Sequence, residues 1–349
     1  MTGPGSWLRQ ARERFGERAV TAVILLALVL VAVVPLAAFP AARCEVFGAG
    51  CRVPLAEVRG DAPRAPDALD PATAAAAGSY VALGDSYSAG VGAEATVADQ
   101  NPLARCHRTS KAYYHAVAAA FPFKGGGFYA CSGATVNDVL HGRFGEPPQI
   151  GRVDANTTLV TLSIGGNDIG FSKIIAGCVV KLPWSGSCTK QGGDIARRMA
   201  ALRTALPDLL DQITDRAPRA RVLVMGYPHA FSEVNGAAGD NISVAEQRWL
   251  NAQTHDLNEI IKQAAVEADD RVDAAGGAGS VEFVDAYGAF AGHEAGSGDP
   301  YMNGLAVNLS ALEAEPRSFH PTARGQQALA ALFIEQVKKG PGRPLHQYR

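Results

Sequence analysis

Two hydrophobic periods alternate along this chain. Short apolar runs, the mark of buried strands, fall at 80–84, 127–130, 158–164, 221–226 and 281–285. Between them, apolar residues recur every third or fourth position at 110–121, 193–214, 245–269 and 322–338, which predicts helices. Strand and helix signals in alternation argue for an α/β fold, with a parallel sheet covered on both faces. No internal repeat is evident.

One stretch fits neither period. From Val20 to Phe39 the chain is apolar and carries no charge. About 20 such residues span the hydrocarbon core of a bilayer as a helix. Arg9, Arg12, Arg14 and Arg18 precede it, while Arg43 and Arg52 follow. That balance puts the N-terminus inside and the bulk of the chain outside. A cleaved signal peptide is the rival. The run is longer than a usual h-region, however, and no clean A-x-A site follows it. Arg43 occupies the position that a lipid-attachment Cys44 would need small. The expected layout is a cytoplasmic tail over 1–19, a single-pass transmembrane signal anchor over 20–39 and a linker over 40–77. One domain over 78–340 then lies outside the cell membrane, with a tail over 341–349. Secretion after cleavage is the alternative. The linker is rich in Pro, Ala and Asp and has no sustained period.

The 349 residues leave room for one large α/β domain or two smaller ones. The net charge of -2, without a long basic block, gives nucleic-acid binding no electrostatic support. Six cysteines, Cys44, Cys51, Cys106, Cys131, Cys178 and Cys188, all lie beyond the apolar run. An even count on the exported side fits disulfides. Proximity pairs Cys44 with Cys51 and Cys178 with Cys188, leaving Cys106 with Cys131. A metal site is the rival, but the C-x-x-C and H-x-x-x-H spacings are missing. The expectation is a monomer that needs no metal and no organic cofactor.

Open parallel sheets carry their sites just past the carboxyl ends of the strands. The first strand delivers Asp85-Ser86 and the second Cys131-Ser132-Gly133-Ala134. The third delivers Gly165-Gly166-Asn167-Asp168, and the last helix follows Ser318-Phe319-His320-Pro321-Thr322. Acyl transfer needs a nucleophile, a base in hydrogen-bond reach and donors aimed at the developing oxyanion. Ser86 is the candidate nucleophile and His320 the base. The backbone N–H groups of Ser86 and Gly133 and the Asn167 amide are the candidate donors. Each has a plain alternative: a turn glycine, an asparagine bonding its own backbone, a histidine at a helix entry. Four matching residues, in order, at four junctions favour the chemistry. Asp85 and Asp168 each follow a turn and read as bonding nearby backbone N–H groups. Asp285, at a strand end, is a weaker candidate acid.

Gly84-Asp85-Ser86, Gly133, Gly165-Gly166-Asn167-Asp168 and His320-Pro321 resemble the four blocks of the SGNH, or GDSL-type, hydrolases. The resemblance covers about 79–338. The Tyr87-Ser88-Ala89-Gly90 continuation and the stretch from 291 to Asn303-Gly304 are most similar to exported actinobacterial lipases and esterases of that family. The resemblance implies a three-layer α/β/α sandwich with a flavodoxin-like parallel sheet. It also implies a serine esterase or lipase acting on small-molecule or lipid esters through Ser86 and His320. An acyltransferase or deacetylase on envelope glycans or lipids would use the same residues, and a non-catalytic binding module would share the fold.

The chain departs from the family pattern twice. Many members carry an acid three positions before the histidine, where this chain has Arg317. The expectation is that the Arg317 backbone C=O orients His320, with Glu313 or Glu315 as the alternative. Related secreted lipases also carry a cysteine after the Gly-His-Glu stretch, where this chain has Gly296. The 291–304 segment is therefore expected to be less constrained. Within it, His293 either touches substrate or bonds backbone.

Overall fold

The structure, a computed structural model, describes residues 69–94, 105–180, 187–235, 241–308 and 313–345, with 13, 16 and 18–27 near the N-terminus. The chain divides into two units, 1–64 and 65–349. In the first, residues 18–27 are helical. The segment expected to cross a membrane is described only as far as residue 27. Its remainder and the linker as far as residue 68, with Cys44 and Cys51, lie outside the described residues. Among the described residues, no helix is long and apolar enough to cross a membrane.

The second unit opens with α1 (Pro71–Ala75), β1 (Ser79–Gly84), the single turn α2 (Ser86–Ala89), α3 (Tyr113–Ala120) and β2 (Gly126–Phe128). There follow α4 (Val136–His141), β3 (Thr157–Ser163), α5 (Phe171–Val179), α6 (Gly192–Arg216) and β4 (Arg221–Met225). The unit closes with α7 (Val244–Ala274), β5 (Ser280–Val284), the small pair β6 (Val307–Asn308) and β7 (Glu313–Ala314), and α8 (Ala323–Lys339). Strands β1 to β5 form one parallel sheet in the order β2-β1-β3-β4-β5. The chain leaves β1 toward one edge and builds β3, β4 and β5 toward the other. Right-handed crossovers then put α3 on one face and α6 and α7 on the opposite one. Helix α8 returns to pack on α3 and α1. The result is the expected three-layer α/β/α sandwich, with its crevice beyond the carboxyl ends of β1 and β3, where the winding reverses.

The central strand β3 is buried at every position although it contains Thr157, Thr158, Thr161 and Ser163. Its hydroxyls find partners: Thr158 donates to the Ala75 carbonyl at 2.7 Å, and Thr161 lies 2.9 Å from the Tyr80 hydroxyl. Paired in this way, polar β-branched residues sit in a core strand without an open desolvation cost.

At the opposite end of the sheet from the crevice, the first residue of β4 is a buried arginine. Arg221 forks onto Glu282 of β5 at 2.8 and 2.7 Å. It also donates to the carbonyls of Pro71, Gln336 and Val337. All five guanidinium N–H groups are thereby used, and the last turn of α8 is fastened to the sheet. Removing one partner of a buried ion pair costs about 3–5 kcal/mol, because the other charge is stranded. Arg221→Met should therefore lower the unfolding free energy by about 3–5 kcal/mol in urea titration. Turnover per folded molecule should stay unchanged, since the pair lies at the far end of the strands.

Candidate active site

Strand β1 ends on Gly84, whose φ of +124° and close approach to β3 exclude a side chain. A Cβ there would lie 2.4 Å from the Ser163 carbonyl oxygen. Asp85 then caps α2, accepting the Tyr87 N–H at 3.0 Å. Ser86, the first residue of that turn, points its Oγ at His320, with Nε2 at 2.8 Å.

The other imidazole nitrogen, Nδ1, lies 3.0 Å from the carbonyl oxygen of Ser318. In the neutral ring, Nδ1–H donates to that carbonyl and Nε2 is left to accept from the serine. The orienting carbonyl therefore belongs to Ser318 and not, as expected, to Arg317. The Arg317 carbonyl accepts the backbone N–H of His320 at 3.1 Å, and its guanidinium pairs with Glu315 at 2.6 Å. The cause is the local turn. Ser318 N–H closes onto the Glu315 carbonyl, and Phe319 adopts a left-handed φ of +55°. This brings the carbonyl one residue later to the ring. A bulky residue in that conformation costs about 1–3 kcal/mol. Burial of the Phe319 ring against Phe231, and the Tyr87 hydroxyl bonded to its carbonyl at 3.0 Å, offset the cost. Glu315 is thus engaged by Arg317, and the Glu313 side chain lies outside the described residues.

Gly133 follows Cys131, which is bridged to Cys106. Its φ is +75°, and a Cβ would meet the Arg143 guanidinium at 2.6 Å. Asn167 donates one amide hydrogen to the Ala134 carbonyl at 2.9 Å, which leaves its second for the cavity. Among the described residues, the backbone N–H groups of Ser86 and Gly133 have no protein acceptor. Ser86, Gly133, Asn167 and His320 all line one cavity of about 440 Å³.

The acids behave as supports. Asp85 is buried and accepts from Tyr87 N–H, from the Ser163 hydroxyl at 2.7 Å and from the Tyr227 hydroxyl. Burial still pushes its carboxyl up to about 6. Asp168 accepts the Val136 N–H at the start of α4 and is likewise raised to about 6 by burial. Asp285 accepts the Tyr287 N–H in a turn.

Cys178, on α5, is bridged to Cys188. His293 bonds the Asp299 carbonyl at 2.7 Å and stacks on Tyr301, away from the cavity. The segment around it, which lacks the cysteine, is hydrogen-bonded to its surroundings. Asn303 bonds the carbonyls of Gly92 and His320, and Thr322 N–H bonds the Tyr301 carbonyl. Among the described residues, no group of three or more His, Cys, Asp or Glu side chains is arranged to hold a metal ion. Tyr227 and the α5 wall escaped the sequence reading. Tyr227 lies two residues past β4, so a search of that strand end would have found it.

Desolvation holds the His320 imidazole down to about 4, although its backbone hydrogen bonds pull the other way. It is therefore neutral, and able to accept a proton, throughout the physiological range. His320 should titrate by NMR near pH 4 in the folded chain and near 6.5 in the urea-unfolded chain. Between those values the folded state binds fewer protons at this ring. Its share of stability is complete above pH 6.5 and is lost as the pH falls through 4. Asp85 and Asp168 act in the opposite sense between 3.8 and about 6.

Three comparisons bear on this geometry. Residues 82–328 match the model of the GDSL-like Lipase/Acylhydrolase family. The chain is 36% identical over 257 residues to Lipase 1 of Streptomyces coelicolor, a match covering 72% of this chain and 84% of that protein. The fold is similar to the crystal structure of phospholipase A1 from Streptomyces albidoflavus NA297 (TM-score 0.61, 32% identity, 75% of this chain and 100% of that one). It is also similar to the extracellular lipase from Streptomyces rimosus (TM-score 0.58, 31% identity, 75% and 100%). The family match runs unbroken from β1 into α8, across every junction that supplies the cavity, so the chain belongs to the GDSL-like lipase/acylhydrolase family and is a carboxylic ester hydrolase.

Proposed function

We propose that this chain hydrolyses esters of apolar acyl groups outside the cytoplasm, through a Ser86–His320 dyad. The observation that carries the proposal is the 2.8 Å contact between Ser86 Oγ and His320 Nε2 at the wall of an apolar cavity. Ser86 Oγ attacks the ester carbonyl carbon while its proton passes to Nε2. The N–H groups of Ser86, Gly133 and Asn167 receive the oxyanion. The intermediate collapses, the acyl–alkoxy bond breaks and Nε2 returns the proton to the departing alcohol. Water then attacks the acyl-enzyme by the same route and restores Ser86. The Ser318 carbonyl holds the imidazolium in register where other sites use a carboxylate.

The acyl group has a built wall. Phe171, Ile175 and Val179, at i, i+4 and i+8 on α5, face the cavity. Leu257 and Leu305 also line it. Ile174 and Cys178, on the other side of the same helix, are buried in the core. Export is supported by the two disulfides among the described residues and by the likeness to a lipase described as extracellular. The apolar run over 20–39 is its export signal.

Ser86→Ala should abolish both p-nitrophenyl ester turnover and fluorophosphonate labelling. Asn167→Ala should keep the label but lower kcat by about 10²–10³-fold. Undiminished turnover by folded Ser86→Ala would remove the mechanism. Along a ladder of acyl lengths, kcat/KM should climb by up to about fourfold per methylene, the ~0.8 kcal/mol of burying one, until the cavity is full. Ile175→Trp should move the optimum to shorter chains and leave acetate ester turnover within about twofold. An unmoved optimum would take α5 out of acyl recognition.

A further inference from the structure

We propose that Tyr227 is a positioning residue for ester hydrolysis, its hydroxyl tying the turn that carries Ser86 to the loop that carries Asn167. The proposal rests on the dyad reading above. Tyr227 follows β4, and its backbone is gripped on both sides by Asn258 of α7. The Tyr227 N–H donates to Asn258 Oδ1, and Asn258 Nδ2 donates to the Tyr227 carbonyl, each at 2.7 Å. The phenol is thereby aimed from a fixed strand end. It donates to Asp85, the residue before the nucleophile. It accepts at 2.8 Å from the N–H of Gly166, the residue before the oxyanion amide. One hydroxyl thus joins the ends of β1, β3 and β4.

The fit is close. A Cβ on Gly166 would stand 3.0 Å from the Tyr227 ring, so the loop lies directly against it. The ring meets Tyr87 edge-on at 5.1 Å, and Tyr87 lies beside His320 at 5.2 Å and bonds the Phe319 carbonyl. Among the described residues, neither the Gly166 N–H nor Asp85 Oδ2 is given a second partner. A phenol satisfies both at once, donating in one direction and accepting in the other. Phenylalanine would fill the same space and satisfy neither. Burial and the Asp85 carboxylate hold the Tyr227 hydroxyl well above its usual range, so it stays protonated and exchanges no proton with substrate. It acts through its neighbours. Asn167 is held by the Ala134 carbonyl at its side chain and by Tyr227 through the preceding amide. A shift of that loop misaims an oxyanion donor without altering the apolar walls that bind the acyl group.

The test uses the full chain and p-nitrophenyl butyrate. Tyr227→Phe should lower kcat roughly tenfold to a hundredfold with KM within about twofold. In an Asn167→Ala background, where the donor is already gone, the same change should cost less than about threefold. A kcat within about twofold of wild type, or the same loss in both backgrounds, would overturn the proposal. Should Tyr227→Phe fail to fold, a chain that keeps Tyr227 decides. In an Asp168→Asn chain, which removes the neighbouring carboxyl that also titrates near 6 and keeps an oxygen to accept the Val136 N–H, the backbone amide of Gly166 and the side-chain amide of Asn167 should shift together by NMR, with the Asp85 midpoint near pH 6. A Gly166 amide that ignores the Asp85 titration would sink the idea. A wild-type chain that hydrolyses no ester would instead refute the proposed function, and the titration would still decide whether Tyr227 ties the two loops.

Discussion

A carboxylate cut off from water must be met by donors from the protein, and here that demand organises one end of the sheet. Asp85 draws a backbone N–H from its own turn, a hydroxyl from β3 and a phenol from the end of β4. The polar chain runs on through Ser163 to Ser88, and from Ser88 to Tyr113 of α3. Leaving one buried polar group unpaired costs about 1–3 kcal/mol, so each donor is fixed in place by the need to serve its acceptor. Three strand ends, each free to drift as a loop, become one rigid rim.

Inside this hydrogen-bonded rim, little machinery faces the cavity. Among the described residues, the far nitrogen of His320 meets the Ser318 carbonyl and no acidic side chain. A carbonyl fixes the tautomer as well as a carboxylate does but lends no charge to the imidazolium. The ring's low basicity follows from the same desolvated setting. In the proposed mechanism, the cost of forming imidazolium there falls on the oxyanion it would face, so the proposed dyad and its three N–H donors would act as one electrostatic unit.

Much of this was legible beforehand. All five strands of the main sheet and helices α3, α6, α7 and α8 sit where the hydrophobic periods put them. The Ser, Gly, Asn and His blocks converge because parallel sheets gather strand ends. What escaped was short or local. Helix α5 is nine residues long; its apolar residues Phe171, Ile174, Ile175, Cys178 and Val179 keep a helical spacing, but the run is too short to stand out from the loops on either side. The choice between the Arg317 and Ser318 carbonyls turns on one left-handed residue, Phe319, and nothing in its side chain announces that conformation. The 291–304 segment shows the same limit. A missing cysteine is visible in a string, whereas Asn303 holding two distant carbonyls is not.

The two described sulfur bridges guard different parts of the cleft. One anchors the stretch of chain just ahead of Gly133, the other the helix that walls the cavity. Neither bridged stretch includes Ser86 or His320. Under the proposed mechanism, protein made in a reducing cytosol would keep the Ser86–His320 pair while lacking the bridges beside Gly133 and on α5. On that reading such a preparation would still take up a serine-directed label yet differ in which esters it prefers, so a count of competent serines is no certificate of a properly oxidised enzyme.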